Sequence, residues 1–445
     1  MKKKISTPIA DFIRGYDGSS VRMHMPGHKG KDGFYSHDIT EIDGADELYF
    51  PTGIIAASEE NASKLFSART FYSAEGSSLS IRTMVRLAVT YARSLGREPL
   101  IAAGRGVHKS FISAVALNGA SVDWLCPESS SYMSTPLSRG YIEEYFKGKK
   151  EKPIALYITS PDYLGNLQDV KEISELCHEN GTLLLVDNAH GAYLKFLEPS
   201  LHPIDLGADM CADSAHKTLP VLTGGGYLHV SKNAPSHFRE RAKDAMLLFG
   251  STSPSYLILE SLDLANGYLG GDYRERLSLV VKEVASVKAE LERAGYRIIG
   301  SEPMKIALDV ADYGYSGSYV YEYLKDRGII AEFADGEHIV FMPSEKSDIS
   351  DLKALESALL SLPRREAESR RAPRFSLPKR AMSICEAMNA DSELLPLGEC
   401  LGRVVADIRV GCPPAVAPIV PGEIVDENIS ETLAYYGISE LYVVK

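Results

Sequence analysis

From about residue 71 to 230 the chain alternates short apolar runs with amphipathic stretches. Ile154-Ala155-Leu156-Tyr157-Ile158 and Leu183-Leu184-Leu185-Val186 are continuous apolar runs of strand length, the pattern of strands covered on both faces. Between them Val170, Ile173, Leu176 and Cys177 recur at helical spacing, and Asn180-Gly181 closes that stretch. Strand, helix and strand within about thirty residues form a βαβ unit, so the spacing predicts an α/β fold with a mainly parallel sheet and helices on both faces. Pro99 to Ala102 and Asp209 to Ala212 read as further strands.

The flanking regions differ. Residues 1–70 form a polar, loop-rich N-terminal segment, in which Met23-His24-Met25-Pro26-Gly27-His28-Lys29-Gly30 cannot be a helix interior. Residues 270–297 predict one long charged helix ending at Ala294-Gly295. Beyond it come short strands (Lys305 to Val310, Ile329 to Phe333, His338 to Met342) and helices near 317–327 and 348–361, the mixture of a smaller α+β domain. The arginine-rich stretch 362–375 reads as a solvated connector, and 380–445 carries Pro413-Pro414 and Pro421-Gly422-Glu423. The expected division is therefore an N-terminal segment 1–70, a large domain 71–270, a small α+β domain 271–362, and a linker with a C-terminal domain over 363–445.

Composition narrows the function. The 445 residues are 44% hydrophobic and 24% charged, with a formal net charge of −12. No basic stripe is interleaved with aromatics, which excludes nucleic acid as the expected partner and leaves a small molecule. Cys126, Cys177, Cys211, Cys385, Cys400 and Cys412 form no C-x-x-C pair, so neither a disulfide framework nor a metal site is expected. His24 and His28 are four apart, but Pro26-Gly27 intervenes and rules against a helical zinc pair. The basic start Met1-Lys2-Lys3-Lys4 leads into Ile5-Ser6-Thr7-Pro8 and no apolar run, so neither signal peptide nor membrane span is expected and the cytoplasm is the expected location.

Three features carry chemistry, and their order matters. Ala74-Glu75-Gly76-Ser77-Ser78-Leu79-Ser80 opens a helical pattern, offering backbone N–H groups, hydroxyls and a positive dipole end to a phosphate. By itself it is an ordinary serine-capped helix start. Asp187-Asn188-Ala189-His190 follows a buried strand, where ligands collect in parallel sheets, and an acid there can keep a ring nitrogen protonated. Ser214-Ala215-His216-Lys217-Thr218 follows another strand and precedes Gly224-Gly225-Gly226. Lys217 lies among small and polar residues thirty positions after the acid, placed for partial desolvation and Schiff-base formation. Phosphate loop, strand-end acid and lysine together are what a pyridoxal 5′-phosphate site requires. His108, in Gly106-Val107-His108-Lys109-Ser110, is a candidate to lie flat on the pyridine ring.

These residues resemble the Orn/Lys/Arg decarboxylases of fold type I, in the short form without a wing domain. The resemblance runs over nearly the whole length: His24-Met25-Pro26-Gly27-His28-Lys29, Asp46-Glu47-Leu48-Tyr49, His108-Lys109-Ser110, Asp187-x-Ala189-His190, Ser214-x-His216-Lys217-Thr218, Pro413-Pro414 and Pro421-Gly422-Glu423. It implies a transferase-like large domain with smaller α+β C-terminal domains, and decarboxylation of lysine, arginine or ornithine to an amine for polyamine synthesis. It implies that Lys217 forms the covalent bond to the cofactor, Asp187 pairs with the ring nitrogen and His108 stacks on the ring. Gly76, Ser77, Ser78, Ser214 and His216 would surround the phosphate, and Ala189 would pack on the other face beside His190. Glu332 and Glu423 match positions that would receive the basic end of the substrate. A homodimer or larger homo-oligomer with the site at the subunit interface is implied as well. The alternatives on the same scaffold are an aminotransferase or lyase, or a degenerate homologue without catalysis.

Overall fold

The computed structural model describes residues 5–16, 21–31, 33–369, 371–408 and 417–445. The stretch around Pro413-Pro414 lies outside them. Seven strands form the main sheet: β1 (Arg69–Ser73), β2 (Leu100–Gly104), β3 (Ser121–Leu125), β4 (Ala155–Thr159), β5 (Leu183–Asp187), β6 (Met210–Asp213) and β7 (Gly226–Val230). Their order is β1-β7-β6-β5-β4-β2-β3. β2 and β3 pair in parallel, as do β5 and β6, while β7 runs antiparallel to both β6 and β1. A parallel return needs a crossover, usually a helix of several turns. The link from β6 to β7 holds only the four-residue helix Ala215–Thr218, so β7 comes back in the opposite sense.

The predicted βαβ unit is present as β4, the helix Val170–Glu179 and β5. Every residue of β5 is buried, and the helix turns Val170, Ile173, Leu176 and Cys177 inward, the stripe read from the spacing.

Packing divides the chain into two compact units: residues 1–98, 154–156 and 170–277 in one, and 99–153, 157–169 and 278–445 in the other. In the first, Asp46 organises the N-terminal segment. Its carboxylate accepts the backbone N–H groups of Thr52, Gly53, Ile55 and Ala56, at the start of the helix Ile54–Phe66. Burial pushes the Asp46 carboxyl up, but these amides outweigh it and hold the group below its ordinary value. An acid at this helix end satisfies donors that the helix itself leaves unpaired.

The second unit contains a four-stranded sheet of order β10-β11-β9-β8, from β8 (Arg297–Ile299), β9 (Ile306–Asp309), β10 (Phe333–Ala334) and β11 (His338–Phe341). A hairpin-like pair follows, β12 (Ser392–Pro396) antiparallel to β13 (Glu440–Val444). The helices Tyr273–Arg293, Gly317–Lys325 and Ile349–Leu360 stand where the periodicity placed them.

Two expectations change here. The strand expected over Ile329 to Phe333 is reduced to Phe333–Ala334, because Ile330 is 65% exposed and Ile329 pairs with nothing in the sheet. The arginine-rich stretch is exposed over 363–369, as a solvated connector would be, but Arg365 and Arg371 in it are also engaged. Arg371 reaches Asp309 at 3.2 Å and Glu337 at 3.3 Å and pairs with Asp312, and the Arg365 guanidinium lies 4.5 Å from the centre of the Tyr315 ring. Its acidic partners come from distant positions, so composition alone reads as solvated. Among the described residues, no helix is long and apolar enough to cross a membrane.

Candidate active site

Parallel pairing of β5 with β6 sets Asp187 opposite Ala212. The acid and the segment Ser214 to Lys217 therefore leave the sheet at the same edge, the carboxyl end of neighbouring strands. Asp187 is 2% exposed, and its carboxylate accepts the Ala189 N–H at 3.2 Å. The Lys217 Nζ lies 2.9 Å from Nε2 of the buried His190. Partial desolvation of Lys217 was expected; the residue as a whole is exposed, with its amine against the buried His190. The reason is local: one helical turn at the sheet edge buries Ala215 and Thr218 and leaves the lysine outward.

The Gly/Ser stretch was expected as a loop that opens a helix. It forms the first turn of that helix, the nineteen-residue Gly76–Ser94, so Ser77 and Ser78 stand at a helix N-terminus. Gly76 takes φ +62°, a conformation costly for residues with a Cβ, and a Cβ there would stand 3.4 Å from the His216 ring. The Ser214 hydroxyl donates to Ser77 Oγ at 2.8 Å. His216 donates Nδ1–H to the Gly225 carbonyl at 2.9 Å, since a carbonyl can only accept. Burial, reinforced by the neighbouring Lys217 charge, holds this imidazole below its ordinary pKa. At Gly226 a Cβ would come within 2.8 Å of the Gly76 carbonyl carbon and 2.9 Å of the Asp213 oxygen. Glycine is required there because the two backbones touch.

The remaining candidates belong to the second unit. His108 caps the helix Lys109–Asn118, its Nδ1 accepting the Ser110 N–H at 3.1 Å, so a neutral ring carries its proton on Nε2. Glu332 is exposed and accepts the Tyr163 hydroxyl at 3.2 Å. Glu423 is 1% exposed and holds Arg105 at 3.1 Å, in addition to accepting the Val420 N–H at 2.8 Å. Sequence reading passed over Arg105, Tyr163 and Asp213. Asp213 closing a buried strand and His229 inside β7 were the available signal, since unpaired polar groups do not persist in such positions.

The same architecture is found in a lysine decarboxylase from Francisella novicida, with a TM-score of 0.79 over 99% of this chain and 81% of that one. At 17% identity this is a likeness of fold, that of the fold-type-I pyridoxal-phosphate enzymes. The chain belongs to the Orn/Lys/Arg decarboxylase family: the model of the family's major domain matches residues 14–307. It is similar to an arginine decarboxylase of Bacillus subtilis, 30% identical over 92% of this chain and 89% of that protein. An arginine decarboxylase of Halalkalibacterium halodurans is 29% identical over 98% of this chain and 94% of its own.

Proposed function

We propose that this chain removes the α-carboxylate of a basic amino acid (lysine, arginine or ornithine) with pyridoxal 5′-phosphate held by Lys217, giving an amine that enters polyamine synthesis. The observation that carries the reading is a pair of short contacts made by segments that leave strands β1, β5 and β6 at their carboxyl ends: Lys217 to His190 at 2.9 Å and Ser214 to Ser77 at 2.8 Å, with Asp187 buried at the end of β5.

The donor set fits the cofactor. Two hydroxyls at the amino end of a long helix suit a phosphate, and the Cβ-free Gly76 keeps the turn open beside His216. When bound, pyridoxal phosphate supplies an electron sink for the electrons of the Cα–carboxylate bond.

The chain's own groups do the rest. Lys217 offers the primary amine for covalent attachment. His190 Nε2, within hydrogen-bond reach, can share the proton on Nζ, so this pair is placed to return a proton to Cα. The Asp187 carboxylate, shielded from water, can hold a protonated ring nitrogen by a charge-assisted hydrogen bond. Of the two acids that match substrate positions, Glu332 keeps an exposed carboxylate, which supports giving it the basic end of the substrate. The names of the two bacterial relatives favour arginine as the first substrate to assay.

The experiment is direct. Purified protein is loaded with pyridoxal phosphate, and carbon dioxide and keto acid are measured with lysine, arginine and ornithine. Carbon dioxide from one of the three, and no visible cofactor band in Lys217→Ala, is the expected result. Keto acid without carbon dioxide would replace decarboxylation by transamination.

A further inference from the structure

Directly behind these anchors lies a carboxylate that the proposed chemistry does not use. Asp213 is fully buried at the end of β6. Its Oδ2 is 3.1 Å from His202 Nε2 and 3.1 Å from His229 Nε2, and both imidazoles are themselves fully buried. The opposite ring nitrogens fix the proton positions. His202 Nδ1 accepts the Ile204 N–H at 3.4 Å, and His229 Nδ1 lies 2.9 Å from the Thr70 hydroxyl, which has a proton to give. Each neutral ring therefore carries its proton on Nε2 and donates it to Asp213. On the other oxygen, Oδ1, the Asn188 Nδ2 donates at 2.7 Å and the Cys211 thiol at 3.4 Å. A buried carboxylate with this many donors is stable as an anion.

The position of this anion is what matters. Through its side chain it holds Asn188, the residue after Asp187, whose backbone N–H also donates to Ala212 O at 2.9 Å. Through its main chain it abuts Gly226 and so the Gly76 turn. The next residue is Ser214, bonded to Ser77, and Lys217 follows within the same turn of helix. Asn188 is in turn locked over Gly191, where any Cβ would meet its amide oxygen.

Resting on the cofactor reading above, we infer that Asp213 is a positioning residue, a buried anionic hub that registers the acid at 187 with the phosphate donors at 77 and 214 and the amine at 217. His202, His229 and Asn188 hold it in place.

The test uses four proteins: wild type, Asn188→Ala, Asp213→Asn, and the interchange Asn188→Asp with Asp213→Asn. In the interchange the amide at position 213 can accept from both histidines and donate to the acid now at position 188, so the hydrogen bond survives with its polarity reversed. Each protein is titrated with pyridoxal 5′-phosphate through its visible absorption, the band is followed against pH, and melting is recorded without cofactor. Losing a charge-assisted buried bond is expected to weaken cofactor binding about tenfold in each single variant. The midpoint of the band's pH dependence should shift with it, and the interchange should recover most of both. Should Asp213→Asn not fold, Asn188→Ala decides, because it leaves the carboxylate and both histidines intact. Lower melting temperatures with wild-type cofactor affinity and an unmoved pH midpoint would overturn the inference. So would a stoichiometric metal ion in the purified protein that is lost on His202→Ala, since His202, Cys211 and Asp213 lie close enough to share one. If wild type itself shows no band dependent on Lys217, the cofactor reading fails and the inference goes with it.

Discussion

Arg105 and Glu423 form an ion pair at 3.1 Å in which both side chains are buried, 2% and 1% exposed, across 318 positions of sequence. The guanidinium also donates to the Pro418 carbonyl at 3.2 Å and lies 5.1 Å from the centre of the Trp124 ring. Its Nε and Nη1 have no hydrogen-bond partner among the described residues. Burial pushes the Glu423 carboxyl up, with Arg105 opposing. Read from sequence, Glu423 was a candidate for the substrate's basic end; in the structure that charge already has a partner inside its own unit. Removing one member strands the other in a dry site, so Glu423→Ala and Arg105→Ala should each cost about 3–5 kcal/mol in chemical denaturation. The Arg105→Met, Glu423→Met double variant should lose far less than either. Equal losses in all three would show that volume, and not charge, holds the position.

A second buried pair secures the N-terminal segment. Lys243 Nζ reaches Glu59 Oε1 at 2.5 Å and the Leu48 carbonyl at 2.6 Å, and Glu59 also accepts the Tyr72 N–H at 2.9 Å. Lys243→Met keeps the stem but removes the nearer cation from the buried Glu59 carboxylate, leaving Arg69 at 3.8 Å. A loss of about 3–5 kcal/mol is expected from urea melts. Adding Glu59→Gln to that variant should restore part of it. No recovery would assign the effect to packing of the lysine stem.

Asp263 makes stability depend on pH. It accepts the N–H groups of Ile9 and Ala10 at 2.9 and 3.0 Å, opening the helix Pro8–Gly15, and takes a further bond from Ser58. Burial raises its carboxyl from 3.8 to about 6, against the pull of those donors. The folded state thus binds the proton more tightly than the unfolded chain. The contribution is complete below pH 3.8 and is lost as pH rises through about 6. Asp263→Asn can keep all three bonds without titrating. Melting temperature against pH should flatten between these limits in the variant relative to wild type, and an unchanged slope would remove Asp263 as its source.

The serine pair gives a fourth expectation. Ser214→Ala removes the donor to Ser77 while sparing the backbone. Pyridoxal phosphate should bind several-fold more weakly, in keeping with one neutral hydrogen bond of about 0.5–1.5 kcal/mol. Pyridoxal without phosphate, titrated in the same way, should show no such difference. An equal loss for both forms would place the serine away from the phosphate.

Much of this was legible from local pattern. The helix Val170–Glu179 and strand β5 appear where a 3.6-residue stripe and an unbroken apolar run require them. The motifs around Asp187 and Lys217 could be paired from their order because parallel sheets deliver ligands to strand ends. Exposure of Lys217 was not legible, since it depends on how short the helix Ala215–Thr218 is. Arg371 likewise gave no sign of its acids at 309, 312 and 337.

What the sequence determined by itself is everything governed by neighbours along the chain: the periodic elements, the glycines at tight turns, and the order of phosphate donors, acid and amine. Only the tertiary structure decided which distant charges meet. It gave Glu423 to Arg105 and left Glu332 exposed, and it gathered His202, His229 and Asn188 around Asp213. The physical reason is that a buried charge is tolerated only beside partners that replace its water, and such partners are supplied by packing.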